Sequence, residues 1–188
     1  MFESRQLGNN VRLRLLRVSD AAGLAAAYDR NRQHLAPWEP VRSEEFFTTA
    51  WQANDIAGRL ASHEAGDFHP FVLVDNDLLV GKFNLAGIMR GPFQSAGLGY
   101  WVDSAYVGRG LASAAVRELV DLARGTLGLH RIEASTLLGN AGSQRVLLKA
   151  GFQQIGMAPR YLKIAGEWQD HNLYQVILHD SDESSIPS

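Results

Sequence analysis

The sequence predicts an α+β fold, one mixed sheet covered by helices, and three observations carry that prediction. Apolar and aromatic runs of strand length are interleaved with longer stretches whose apolar residues recur at helical spacing. Near the centre, Leu98-Gly99-Tyr100-Trp101-Val102 passes through Val107-Gly108-Arg109-Gly110-Leu111-Ala112 into a helix, so a strand, a glycine turn and a helix follow in succession. Near the end, two strand-like runs over about 153–164 and 168–178 meet at Ala165-Gly166-Glu167, which reads as a hairpin.

Taken in order, Val11 to Val18 alternates apolar with basic residues and predicts a half-exposed strand. Ser19-Asp20 offers an N-cap for an Ala-rich helix from Ala21 to about Asn31. Pro37 and Pro40 forbid a helix, so 35–41 is expected as a loop carrying Trp38 and Glu39. Ser43-Glu44-Glu45-Phe46 opens a second long helix towards His63, closed by Gly66-Asp67. Phe71 to Val74 and Leu78 to Leu85 flank Asp75-Asn76-Asp77 as a hairpin, and 87–96 links it to the central strand. Beyond Gly110, Leu111, Ala115, Leu119 and Leu122 share one helical face. A strand over Arg131-Ile132-Glu133-Ala134 leaves through 135–139 to Asn140, placed to cap a short helix ending at Lys149. The expected organisation is one domain over 1–180, followed by a polar C-terminal tail over 181–188.

The chain has 188 residues, 46% of them hydrophobic, enough for a single core. Its net charge of -2, from 18 basic and 20 acidic residues without a long like-charged block, disfavours general nucleic-acid binding. Without cysteine there is no disulfide framework, thiol nucleophile or Cys-based zinc site, and the six histidines form no i, i+4 pair, so no metal is expected. Met1 to Arg5 lacks the apolar core of a signal peptide, and no apolar run approaches the roughly 20 residues that span a bilayer. A soluble cytoplasmic protein without a membrane partner is the expectation.

A glycine turn that opens a helix leaves free amides and partial positive charge, which suits a phosphate. Alone it could equally be a connecting turn, since it lacks the third glycine of the dinucleotide fingerprint and the Gly-Lys-Ser/Thr of a Walker loop.

Its neighbours make the pattern specific. The run 98–112, Leu129-His130-Arg131-Ile132-Glu133-Ala134, Asn140-Ala141-Gly142-Ser143 and Lys149-Ala150-Gly151-Phe152 resemble the GNAT acetyltransferases. Asn31 to Arg42 and the run 161–173, with Gly166-Glu167-Trp168-Gln169-Asp170-His171, resemble their RimJ/RimL group, the ribosomal-protein N-terminal acetyltransferases.

The resemblance implies the GNAT fold, a mostly antiparallel sheet whose central strand parts from its neighbour, and acetyl-CoA as acyl donor. It assigns the pantetheine arm to main-chain groups of Trp101 and Val102, and the pyrophosphate to Gly108, Arg109, Gly110, Leu111, Ala112 and Ser113. It gives Ser143 the proton for the departing thiolate, and has Asn140 hold the cofactor arm. The Val102 N–H is the chosen oxyanion donor. Lys149 is either a contact to the 3′-phosphate or a solvated surface lysine. The acceptor end is expected to be lined by Trp38, Glu39, Arg90, Tyr161 and Trp168.

Two positions depart from the group. Val107 stands where Gln or Arg usually opens the glycine motif, and Arg160 stands where an acid usually precedes Tyr-Leu. The general base is therefore open among Glu39, Glu133, Asp170 and His171. An α-amino group titrates near 7.7 to 8.0, so roughly a third is neutral at about pH 7.5, against about a thousandth of a lysine side chain. A site with a poor base suits an α-amine, and the N-terminal amine of a protein is the expected acceptor. A small amine, or a non-catalytic acyl-CoA sensor, remains the alternative, and oligomerisation is possible.

Overall fold

The computed structural model of the protein describes residues 3–8 and 10–179; the expected tail at 181–188 lies outside them. Eight strands form a single sheet: β1 (Arg5–Gln6), β2 (Val11–Leu15), β3 (Phe68–Asp75), β4 (Leu78–Met89), β5 (Ser95–Val102), β6 (Arg131–Leu137), β7 (Gln153–Ile164) and β8 (Glu167–Ile177). Their order is β1-β2-β3-β4-β5-β6-β8-β7, and every neighbouring pair is antiparallel except β5 with β6. The helices are α1 (Ala21–Arg30), α2 (Arg32–Leu35), α3 (Thr49–Glu64), α4 (Leu111–Gly125) and α5 (Ala141–Lys149). Among the described residues no helix is long and apolar enough to cross a membrane.

Strand alternation divides the core between two faces. Along β5, Leu98 and Val102 join Leu111, Ala115 and Leu119 of α4 in one cluster. Trp101 turns the other way, into a second cluster with Leu24 and Tyr28 of α1 and Ile56 of α3. The Trp101 Nε1–H donates to the Tyr28 hydroxyl at 3.0 Å, so this buried indole keeps a polar partner.

The one parallel junction is short. β5 and β6 pair only at Ser95↔Arg131, Ala96↔Ile132 and Gly97↔Glu133. Beyond them β5 stays with β4 as far as Gly81↔Val102, and β6 stays with β8 as far as Leu137↔His171. The two strands part in the middle of the sheet, as the resemblance implied.

Several boundaries differ from the sequence reading, each for a local reason. Ser19 and Asp20 lie in a 3-10 turn, and Asp20 is the N-cap of α1 as expected but makes no side-chain cap bond to it; its carboxylate takes Arg14 at 2.7 and 2.8 Å and the Arg17 N–H at 2.8 Å. The helix expected to start at Ser43 is interrupted. A 3-10 turn over Glu44–Phe47 ends at Thr48, whose extended backbone restarts the chain as the N-cap of α3, accepting the Trp51 N–H at 3.2 Å. β4 runs through a bulge to Met89, so much of the expected 87–96 link is strand.

Asp103, just past β5, fastens the end of α1 and the residue after it to the sheet. Its buried carboxylate accepts from Arg30 Nε at 2.6 Å, Asn31 Nδ2 at 2.8 Å and the Ala105 N–H at 2.9 Å. Burial pushes this carboxyl up, but the donors from Asn31, Ala105 and Arg30 outweigh it and hold it below its ordinary 3.8. A lowered folded-state value means that the contribution to stability is full above 3.8 and fades as pH falls through the folded value. Asp103→Ala leaves Arg30 and Asn31 without their acceptor, and urea denaturation at neutral pH is expected to show a loss of about 3 kcal/mol, shrinking below about pH 4.

Candidate active site

The parted strands open a cavity of about 930 Å³. One wall is the α4 and α5 side. Gly108 and Gly110 take φ of +78° and +77°, the left-handed region that favours glycine, and so turn the chain into α4. Gly110 is the N-cap of α4 and no side chain caps the helix, so the amides of Leu111, Ala112 and Ser113 lie free on the cavity wall. Thr136 on β6 adds a buried Oγ1 without a partner among the described residues, also on this wall. Free helix amides and an unpaired strand edge are the groups that a long donor carrying phosphates and amides needs.

The edge of β5 has a definite direction. The Asp103 N–H donates to Val80 O at 2.9 Å, so residue 103 and, by alternation, Trp101 turn their main-chain groups to β4. Val102 faces the parted side, where its carbonyl lies 3.2 Å from His34 Nε2. The N–H and C=O of one strand residue share an edge, so the Val102 N–H faces the cleft with its carbonyl. Trp101 lines the cavity, but its main chain serves the sheet.

At the start of α5, the Ser143 N–H donates to Asn140 Oδ1 at 3.1 Å, the cap read from the sequence. The Tyr100 hydroxyl lies 2.8 Å from Ser143 Oγ and 3.3 Å from Ser143 O. Its ring stacks on Phe83, and burial pushes the phenol up to about 12, so it stays protonated at neutral pH. Tyr100 was absent from the sequence-derived site, and only the 43-residue separation bridged by the fold brings it to Ser143.

The opposite wall carries His34, Trp38, Glu39 and His171. The hairpin tip closes over this loop through the Ala165 N–H, which donates to Glu39 O at 3.0 Å. Burial pushes the Glu39 carboxyl up, against the pull of Arg42 at 3.4 Å and of Lys82 and Arg59. Beneath it lies a buried charge cluster with no sequence signature. Lys82 Nζ is 3.6 Å from Asp55 and over the Tyr28 ring, while Arg59 Nε binds Asp55 at 2.6 Å. Burial first, then Arg59, depresses the Lys82 ammonium from 10.5 to about 8.

The remaining expected residues are dispersed. Arg109 bends away from the cleft, donating to Ala105 O at 2.7 Å with its guanidinium over Tyr106. Lys149 reaches the rim of the cavity. Tyr161 lines a second hollow of about 220 Å³ with Glu133, which shares Leu98, Ala134 and Ser135 with the main cavity. Trp168 is 61% exposed and lines neither hollow. Arg90 sits at the far end of β5, bound to Leu127 O, and does not face the cavity. Arg160 takes a φ of +50°, and its N–H is held by Asp170 Oδ1 at 2.8 Å.

An open mixed sheet, parted at its parallel junction beside a glycine turn and free helix amides, defines an acyl-CoA-dependent N-acyltransferase. The chain belongs to the acetyltransferase (GNAT) domain family, which matches residues 10–153. It is 36% identical to the ribosomal protein uS5-alanine N-acetyltransferase of Escherichia coli, over 89% of this chain and 88% of that one. The ribosomal-protein-S5-alanine acetyltransferase of Vibrio fischeri superposes with a TM-score of 0.91 at 36% identity, covering 95% of this chain and 98% of that one. Mycobacterium smegmatis RimJ, solved in complex with a CoA-disulfide, gives a TM-score of 0.85 at 31% identity, over 95% and 84%. The protein is an acetyl-CoA-dependent N-acetyltransferase.

The Lys82 cluster makes a prediction. A folded-state value near 8 against 10.5 means that the folded chain binds fewer protons than the unfolded chain between those values, so stability rises with pH across that window. At about 1.4 kcal/mol per pH unit, keeping the ammonium charged at neutral pH costs roughly 3 kcal/mol. Lys82→Met leaves Asp55 with Arg59 and is expected to stabilise the fold by about 1–3 kcal/mol in urea denaturation at pH 7, and to flatten the rise between pH 8 and 10.

Proposed function

We propose that the protein acetylates the N-terminal α-amine of a protein, of the ribosomal-protein kind that its relatives' names state. The observation that carries this reading is the acceptor wall of the cleft. Its rim is exposed, with Trp38 and Leu162 both open to solvent, and the shared lining of Leu98, Ala134 and Ser135 continues the cavity into the hollow beside Tyr161. Such a mouth admits the end of a chain, whereas a small amine calls for a closed pocket.

When bound, acetyl-CoA supplies the acetyl thioester, and the residues around it do the rest. The α4 amides from Leu111 to Ser113 take the pyrophosphate, with Gly108 and Gly110 giving the turn its shape, and Asn140 and the β5 edge hold the arm. The Val102 N–H is directed at the developing oxyanion. Ser143 gives its proton to the departing sulfur, and the Tyr100 hydroxyl, 2.8 Å from Ser143 Oγ, holds that hydroxyl in place beside the cleft. On the acceptor side, Glu39 and the Trp38 ring receive the cationic amine. Residues 1–180 work as one domain, and no metal enters the scheme.

Purified protein is to be incubated with acetyl-CoA and a panel of peptides with free α-amines, Nα-blocked lysine peptides and small amines, then read by thiol release and intact mass. The expected result is modification of α-amines at least about 100-fold faster than of lysine side chains at pH 7.5, from the difference in neutral amine. Turnover of small amines alone sinks the reading, as does binding of acetyl-CoA without turnover. Ser143→Ala is expected to lower kcat by about 10- to 100-fold, and Tyr100→Phe by a smaller factor, with little change in the KM for acetyl-CoA.

A further inference from the structure

We propose that His171 is the general base of this active site, taking a proton from the acceptor's ammonium through Nε2; this rests on the N-terminal acetyltransferase reading above. His171 is buried at 3% exposure on β8, at the point where Leu137 ends β6, and its ring forms part of the main cavity wall. Its Nδ1 lies 2.9 Å from the carbonyl oxygen of Gln169, which can only accept, so Nδ1 carries the hydrogen and the neutral ring has its lone pair on Nε2. Nε2 has no hydrogen-bond partner among the described residues. The described side-chain atoms sealed from solvent without a partner are Gln52 Oε1, Ser95 Oγ, Arg131 Nε and Thr136 Oγ1. Nε2 is not among them, so it keeps access to solvent, and His171 is one of the residues lining the main cavity. A ring held at Nδ1, in the cavity wall, with an unpartnered lone pair on Nε2 has what a base in the cleft requires.

The other candidates are engaged. Glu133 pairs with Arg131 at 3.2 Å and lines only the side hollow. Asp170 accepts the Arg160 N–H, and Glu39 is paired with Arg42. Glu39 thus serves to hold the cationic amine while His171 deprotonates it. The Tyr161 ring lies 5.6 Å from the His171 ring, where the main cavity meets the side hollow, and shields one of its sides. The titratable groups around His171 are therefore Tyr161 on β7, Asp170 beside it on β8, and His34 and Glu39 across the cavity.

The protons balance. His171 takes one from the ammonium before attack and releases it to solvent. The amine nitrogen then bonds to the thioester carbon, the carbon–sulfur bond breaks, and the sulfur is protonated by Ser143. The second proton lost by the nitrogen returns to Ser143. The net result is an amide, a free thiol and one proton released.

The test compares the wild-type chain and His171→Gln on an α-amine peptide from pH 6.5 to 9. The expected loss in kcat is about 5- to 10-fold at pH 7, where only about a tenth to a sixth of the α-amine is neutral, closing to within about 1.5-fold at pH 9, where the amine is neutral unaided, with the KM for acetyl-CoA unchanged. His171→Asn, with rescue by added imidazole, stands in if the glutamine variant fails to fold. A loss equal at every pH and not rescued marks a structural role and overturns the proposal, as does no loss. Nitrogen NMR of the labelled wild-type His171 ring decides independently of any acceptor. An unprotonated Nε2 at pH 8 that shifts on adding acetyl-CoA supports the proposal, and a proton fixed on Nε2 refutes it. Absence of α-amine turnover in wild type would sink the proposed function while leaving this NMR result to judge His171.

Discussion

The rest of the structure depends on one interrupted pairing. Two parallel strands begin to bond and then stop after Gly97↔Glu133, although each continues for several residues with its other neighbour. Main-chain groups left without a ladder partner inside a protein must bond to something else or lose free energy. The fold keeps this edge at its centre and walls it with α4, α5 and the loop after α2, so the deficit is met by water or by a ligand with amides of its own. Binding the donor thereby completes a sheet that the chain leaves incomplete.

The pleat then divides the work. Residues of β5 pointing towards α4 and α5 reach the start of α5, through Tyr100 and its bond to Ser143. Those pointing towards α1 and α3 join the other cluster, through Trp101 and Tyr28. A single strand therefore reaches both faces of the sheet beside the cleft, and its backbone lies between them. Asp103 matters because it sets the registry of the two halves, tying Arg30 and Asn31 to the end of that strand.

What could be read from the sequence was what depends on local backbone demands. Gly108 and Gly110 announce left-handed turns, and Asn140 announces a helix start three residues before Ser143; both features stand in the structure as expected. The order and type of the larger elements followed from apolar period for the same reason. Features that need distant parts of the chain were hidden. Tyr100 reads as one more strand aromatic until α5 docks beside it, and Lys82 as a surface lysine until Asp55 and Tyr28 enclose it. Arg90 was placed at the acceptor by its position before β5, yet the strand runs the other way and carries it to Leu127. Arg109 had a plausible phosphate in sequence and a nearer carbonyl in space.

The outer strand β7 has a bearing on how the molecule survives at high concentration. A twelve-residue strand at the margin of a sheet, exposed along nearly its whole length, is a template on which another extended chain could grow. Here Pro159 lacks the N–H such growth requires, Arg160 is turned left-handed with its own N–H committed to Asp170, and the register slips on both sides of the pair's midpoint. The irregularity around Pro159 and Arg160 thus spoils this margin for fibre-like addition.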